Sequence, residues 1–71
     1  MKITKNNVEK LKIGTIIEHN GCCIIELTSD YHSGDNWNYS YNVLEFVNED
    51  NYIIINNGTL LKQDLIGDYV C

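Results

Sequence analysis

The stretch "TIIEHNGCCIIELT" (residues 15–28) limits what this chain can fold into more than any other. An Asn-Gly pair between two apolar runs is the strongest short-range signature of a β-hairpin. Its type I′ turn needs positive φ at both central residues, which Asn and Gly tolerate. A two-residue turn at Asn20-Gly21 places His19 opposite Cys22, Glu18 opposite Cys23, Ile17 opposite Ile24 and Ile16 opposite Ile25. Alternate pairs point to opposite faces. Ile16, Ile25 and Leu27 therefore line one face of the ribbon, and Ile17 and Ile24 the other. A small sheet buries one face in its own core. The other, carrying Ile17 and Ile24, is expected to pair with a second copy about a two-fold axis, giving a homodimer.

The rest of the chain reads as more short strands. Residues 38–47 alternate Tyr39, Tyr41 and Val43, then switch phase to Leu44 and Phe46, as a β-bulge or a sharply coiled strand would require. "NEDN" (48–51) turns the chain into "YIII" (52–55), which is apolar on both faces and ends at "NNG" (56–58). Asn6 or Asn7 as N-cap, with Val8 and Leu11 at helical spacing and Gly14 beyond, supports one or two helical turns. Leu60, Leu61, Leu65 and Ile66 indicate a further helical or 3₁₀ turn, and "GDYVC" a short closing strand.

Composition agrees. There is no Ala, Arg or Pro, against ten Asn and ten Ile, which disfavours helix and favours strands and turns. No repeat, linker or low-complexity tract divides the 71 residues, so they form a single β domain, 1–71. A chain this short buries only about 60% of its unfolded surface, and its stability margin is thin. The expected fold is all-β and mostly antiparallel. In outline it resembles a small, strongly coiled SH3-like β-barrel of four to six short strands with one or two short helical turns. The alternative is a β-meander with a short N-terminal helix packed on one face.

Charge is unevenly placed. The net of −5 divides into Lys2, Lys5, Lys10 and Lys12 against Glu9 in residues 1–12, and nine carboxylates against Lys62 alone thereafter. Such a surface repels nucleic acid and is drawn to basic partners. Cys22, Cys23 and Cys71 are odd in number, without a secretory segment or a membrane-spanning apolar run. Free thiols in a reducing cytoplasm are the expectation.

Chemistry finds little purchase. His19, Cys22, Cys23 and His32 are soft ligands within fourteen residues, yet they lack the knuckle spacing of structural zinc sites, and adjacent cysteines in a strand point to opposite sides. No metal or other cofactor is expected. No glycine-rich phosphate loop occurs, and the carboxylates are scattered, so no catalytic residues are assigned and the chain is not expected to be an enzyme.

The richest recognition segment is "YHSGDNWNYSYN" (31–42), which packs four of the seven aromatic rings around a Ser-Gly-Asp-Asn turn. Tyrosine and tryptophan among Asn, Ser and Asp resemble a protein-binding loop. Tyr31, His32, Asp35, Asn36, Trp37 and Tyr39 are therefore the expected partner-binding residues. Stacking of single-stranded RNA on the same rings is weaker, because residues 13–61 contain no cation to meet a phosphate.

Short length, free cysteines, acidic character and the composition of an AT-rich genome together resemble, in general character, the small inhibitors encoded by phages and mobile elements. That resemblance implies a non-enzymatic protein acting in the host cytoplasm. It would bind the basic surface of a nucleic-acid-handling defence protein, such as a CRISPR nuclease. The alternatives are a nucleic-acid- or small-ligand-binding module using the aromatic loop, and a structural subunit of a larger assembly.

Overall fold

Ile, Val and Tyr concentrate in five runs. Each is a strand in the structure, a computed structural model that describes residues 1–71. The strands are β1 (Ile16–His19), β2 (Cys23–Leu27), β3 (Tyr39–Phe46), β4 (Tyr52–Leu60) and β5 (Tyr69–Val70). They form one antiparallel sheet in the order β4-β3-β2-β1-β5. Two 3₁₀ turns, Val8–Lys10 and Lys62–Asp64, are the only helical elements. The all-β antiparallel expectation holds. The sheet does not close on itself, so of the two architectures the meander with an N-terminal turn on one face is the one adopted. No helix is long and apolar enough to cross a membrane.

The Asn-Gly turn forms, but the register differs from the expected one by a single residue. Asn20 and Gly21 both take positive φ (55° and 71°). The Cys22 N–H donates to the His19 carbonyl at 3.2 Å, closing the turn. The ladder then starts at Cys23, which pairs with His19, leaving Cys22 unpaired. This bulge moves every later pair: Ile17 meets Ile25, and Glu18 meets Ile24. A one-residue slip sends side chains to the other face. Ile17 thus lies in the core at 0% exposure and is not a self-association residue, while Ile24 is half-buried on the opposite face.

A second irregularity sits where the sequence switches phase. Val43 pairs with Asn56, but Leu44 pairs with Ile54, so Ile55 in β4 is the extra residue.

One face of the sheet carries the core. Ile17, Ile25, Leu27 and Tyr39 pack with Ile3, Val8 and Leu11 from the N-terminal segment and with Leu65. Tyr39 is completely buried, and its hydroxyl donates to the Val8 carbonyl at 2.6 Å, fastening the N-terminal turn to the sheet. Burial pushes its phenol pKa upward. Asn7 occupies the capping position but makes no cap. Its side chain reaches back instead, accepting from the Thr4 N–H at 2.8 Å and donating to the Lys2 carbonyl at 3.1 Å.

The two sheet edges are treated differently. Beyond β5, residues 1–3 run alongside it: Val70 N–H donates to Met1 O at 2.9 Å and Ile3 N–H to Asp68 O at 2.8 Å. Strand β4 has no neighbour on its outer side.

Gly21→Val places a β-branched residue at positive φ and is expected to cost about 1–3 kcal/mol. A thermal melt lowered by several degrees checks this; an unchanged melt contradicts the turn.

Candidate interaction surface

The fold offers faces rather than a cavity; it contains no pocket. Two surfaces deserve comparison: the aromatic loop expected from sequence, and an apolar patch created by the register.

In the loop, the His32 and Trp37 rings stack at 4.1 Å between centroids, 19° from parallel. Trp37 is half-buried, His32 exposed, and Asp35 and Asn36 exposed beside them. Tyr31 leans on Tyr39 at 5.7 Å and carries Lys62 Nζ 5.6 Å above its ring, so it belongs to the rim of the core. Tyr39 is removed from the partner-binding set altogether, because its ring and hydroxyl are spent inside the fold. Of the six expected residues, His32, Asp35, Asn36 and Trp37 share one accessible loop surface.

What shapes this loop is Asn38, which is not among the six expected partner-binding residues. It is 4% exposed, and its amide nitrogen donates to the carbonyls of His32 (2.8 Å) and Gly34 (3.2 Å). Its amide oxygen accepts the Lys62 N–H at 2.9 Å. One side chain thereby closes the loop and ties it to the second 3₁₀ turn. An ion pair between Lys62 and Glu9 joins that turn to the first, and Glu9 raises the Lys62 pKa.

Gly34 leaves room for the His32 ring in the stack. A Cβ there would lie 2.6 Å from His32 Nε2. Because the clash falls on the end of a movable side chain, Gly34→Ala is expected to displace His32 from Trp37 at a cost of about 1 kcal/mol or less. A changed Trp37 emission spectrum with a nearly unchanged melt checks this.

The second surface lies on the sheet face away from the core. Ile24, Leu44 and Ile54 stand opposite one another on three successive strands, and directly paired residues point to one side. Next to them Phe46 pairs with Tyr52, their rings 5.5 Å apart. Leu44 is buried in the middle at 5% exposure, whereas Ile54 (54%), Phe46 (49%) and Tyr52 (44%) remain open. The last two pairs of this hairpin, Glu45 with Ile53 and Phe46 with Tyr52, lie past the last β2–β3 pair, Ile24 with Leu44. Val47, Ile53 and Ile55 are exposed there as well. Strand β4 contains no charged residue, so the usual charge guard of an edge strand is missing and the Ile55 bulge is its one irregularity.

Carboxylates rim the patch. Glu18 shares the face with Ile24 and Glu26 follows on β2, while Glu49 and Asp50 sit in the hairpin turn. Sequence reasoning noticed that "YIII" is apolar on both faces. The missing signals were the Cys22 bulge, which sets Ile17 against Ile25 and leaves Ile24 on the other face, and the β2–β3–β4 register that aligns Ile24 with Leu44 and Ile54.

His19 and His32 lie at opposite ends of β2 along the chain, and no three His, Cys, Asp or Glu side chains gather to hold an ion. His19 instead binds Asp68, Nδ1 to Oδ2 at 2.5 Å, while Asp68 Oδ1 accepts the Asn20 N–H at 3.0 Å. Asp68 is 7% exposed and braces the Asn-Gly turn from 48 residues away in sequence.

Compared with protein-family models, curated proteins and solved structures, the chain has no match.

Proposed function

We propose that this chain is a non-enzymatic binding protein that docks on another protein through the outer face of its β3–β4 hairpin. The observation that carries this reading is the patch of Ile24, Leu44, Phe46, Tyr52 and Ile54 beside an uncharged, open edge strand. Wet apolar side chains forgo roughly 1.5–3 kcal/mol each, so a face of this kind favours a partner that covers it. An apolar centre with aromatic anchors and a polar rim is the ordinary anatomy of an interface. The rim is acidic, which selects a partner whose apolar groove is flanked by Lys or Arg.

A second copy is the weaker occupant. The acidic rim disfavours a second, equally acidic copy relative to a basic partner. The preference for a basic partner is consistent with a small acidic inhibitor of a nucleic-acid-handling protein, acting by occupying its basic surface. The aromatic loop remains the second reading, favoured by the exposed His32–Trp37 stack, with a protein or a single strand as its ligand.

The test is affinity capture with three baits: the wild-type chain, Ile54→Asp and Trp37→Ala. A basic protein retained by wild-type and Trp37→Ala, lost with Ile54→Asp, and associating more slowly as salt rises is the expected result. Capture that survives Ile54→Asp but not Trp37→Ala assigns the function to the loop. Ile54 is more than half exposed. Ile54→Asp should therefore shift stability by only about 0.5 kcal/mol, which separates lost binding from lost folding.

A further inference from the structure

Cys22 and Cys23 bring their sulfurs to 3.4 Å from one another. Neighbours in a regular strand point to opposite faces, so adjacent cysteines ordinarily hold their thiols apart. Cys22 escapes that geometry because it is the unpaired residue between the Asn-Gly turn and the first rung of the ladder. Both thiols are free, Cys22 exposed and Cys23 partly so. Their one further polar contact is a long one, from Cys22 Sγ to the His19 carbonyl at 3.9 Å.

We infer that Cys22 and Cys23 form a vicinal dithiol site for a thiophilic trivalent centre of the arsenic type, bound through both sulfurs.

Geometry selects the ligand class. With metal–sulfur bonds of about 2.3 Å, two sulfurs 3.4 Å apart subtend roughly 95° at the ion. A linear two-coordinate ion would need the sulfurs about 4.6 Å apart, and a tetrahedral one about 3.8 Å. The pair therefore suits a pyramidal, three-coordinate centre whose third ligand comes from outside the protein. Zinc would also need further protein ligands, and none converge here. The nearest imidazole, His19, has Nδ1 on Asp68 and Nε2 3.2 Å from the Asn20 amide. The hydrogen bond to Cys23 and repulsion between the two sulfurs raise the Cys22 pKa. A cation bridging both sulfurs relieves that repulsion.

The binding step is a ligand exchange without oxidation. A hydrated organoarsenical, R–As(OH)₂, meets two thiols; two As–S bonds form and two As–O bonds break. Each thiol proton leaves with a hydroxide as water, and arsenic stays trivalent.

Phenylarsine oxide tests the site on the reduced chain by intact-mass measurement. One phenylarsenic adduct per chain is expected, stable to excess glutathione and removed by 2,3-dimercaptopropanol, since chelation outweighs a single thiol by about 100-fold or more. Cys22→Ser and Cys23→Ser should each lose that advantage, and Cys71→Ser should keep it. The melt should rise on binding, because the bridge joins the turn to the first residue of β2. An adduct that persists in Cys22→Ser, that glutathione strips, or that requires Cys71 overturns the site.

Discussion

Ile17→Lys is expected to abolish cooperative unfolding at room temperature, with the chain populating its unfolded state. Ile17 lies at the centre of a core of only eight clustered residues and is completely buried. An ammonium there loses its hydration and meets Ile25 and Val70 on the neighbouring strands, neither of which accepts a hydrogen bond through its side chain. The penalty for an unpaired buried charge is several kcal/mol. A core this small rarely supplies more than about 3–5 kcal/mol of net stability. The penalty wins. Ile24→Lys is the informative counterpart, because Ile24 is half-buried on the opposite face and a lysine can extend its charge past the patch. About 1 kcal/mol of loss is expected there. A two-residue hairpin would put the two isoleucines on one face and give them similar fates. Circular dichroism melts of the two variants side by side read the difference.

Asn38→Ala should produce the second-largest effect. The substitution removes two donated bonds and one accepted bond at a position 4% exposed. Net contributions of about 0.5–1.5 kcal/mol each, with the Lys62 N–H left without its partner, give a loss of about 2–4 kcal/mol. Asn38→Asp should do no better. It keeps the acceptor for Lys62 but turns a carboxylate oxygen towards the His32 and Gly34 carbonyls. Denaturant titration measures the loss. A tryptophan emission shift should accompany it, since Asn38 holds the loop that carries Trp37. Stability unchanged within about 0.5 kcal/mol would contradict the clamp.

Much of the fold is legible in the sequence because its signals are local. The Asn-Gly pair demands positive φ where the structure has it, and β-branched runs mark the strands. The change of phase between Val43 and Leu44 does stand opposite a β-bulge, but the extra residue is Ile55 on β4 and not a residue of β3. The features that escape reading depend on partners distant in sequence or on one extra residue. Tyr39 looks like a recognition ring among Asn and Ser; its hydroxyl is used by Val8, 31 residues away. Asp68 looks like a surface carboxylate before a short strand, yet it braces the turn at Asn20. Cys22 has no signature of its own, and its exclusion from the ladder decides which isoleucine is core and which is surface. His32, Asp35, Asn36 and Trp37 do share a surface, but Tyr39 and Ile17 are interior.

That one-residue offset pairs Ile17 with Ile25 in the core, leaves Ile24 on the opposite face, where the β2–β3–β4 pairing aligns it with Leu44 and Ile54, and sets the two thiols side by side. Cross-strand nuclear Overhauser effects in the β1–β2 hairpin of the reduced protein test it most directly. Contacts between the backbone protons of Ile17 and Ile25 and of Glu18 and Ile24 are expected, with Cys22 lacking a cross-strand partner. A ladder joining Ile17 to Ile24 and His19 to Cys22 would contradict it.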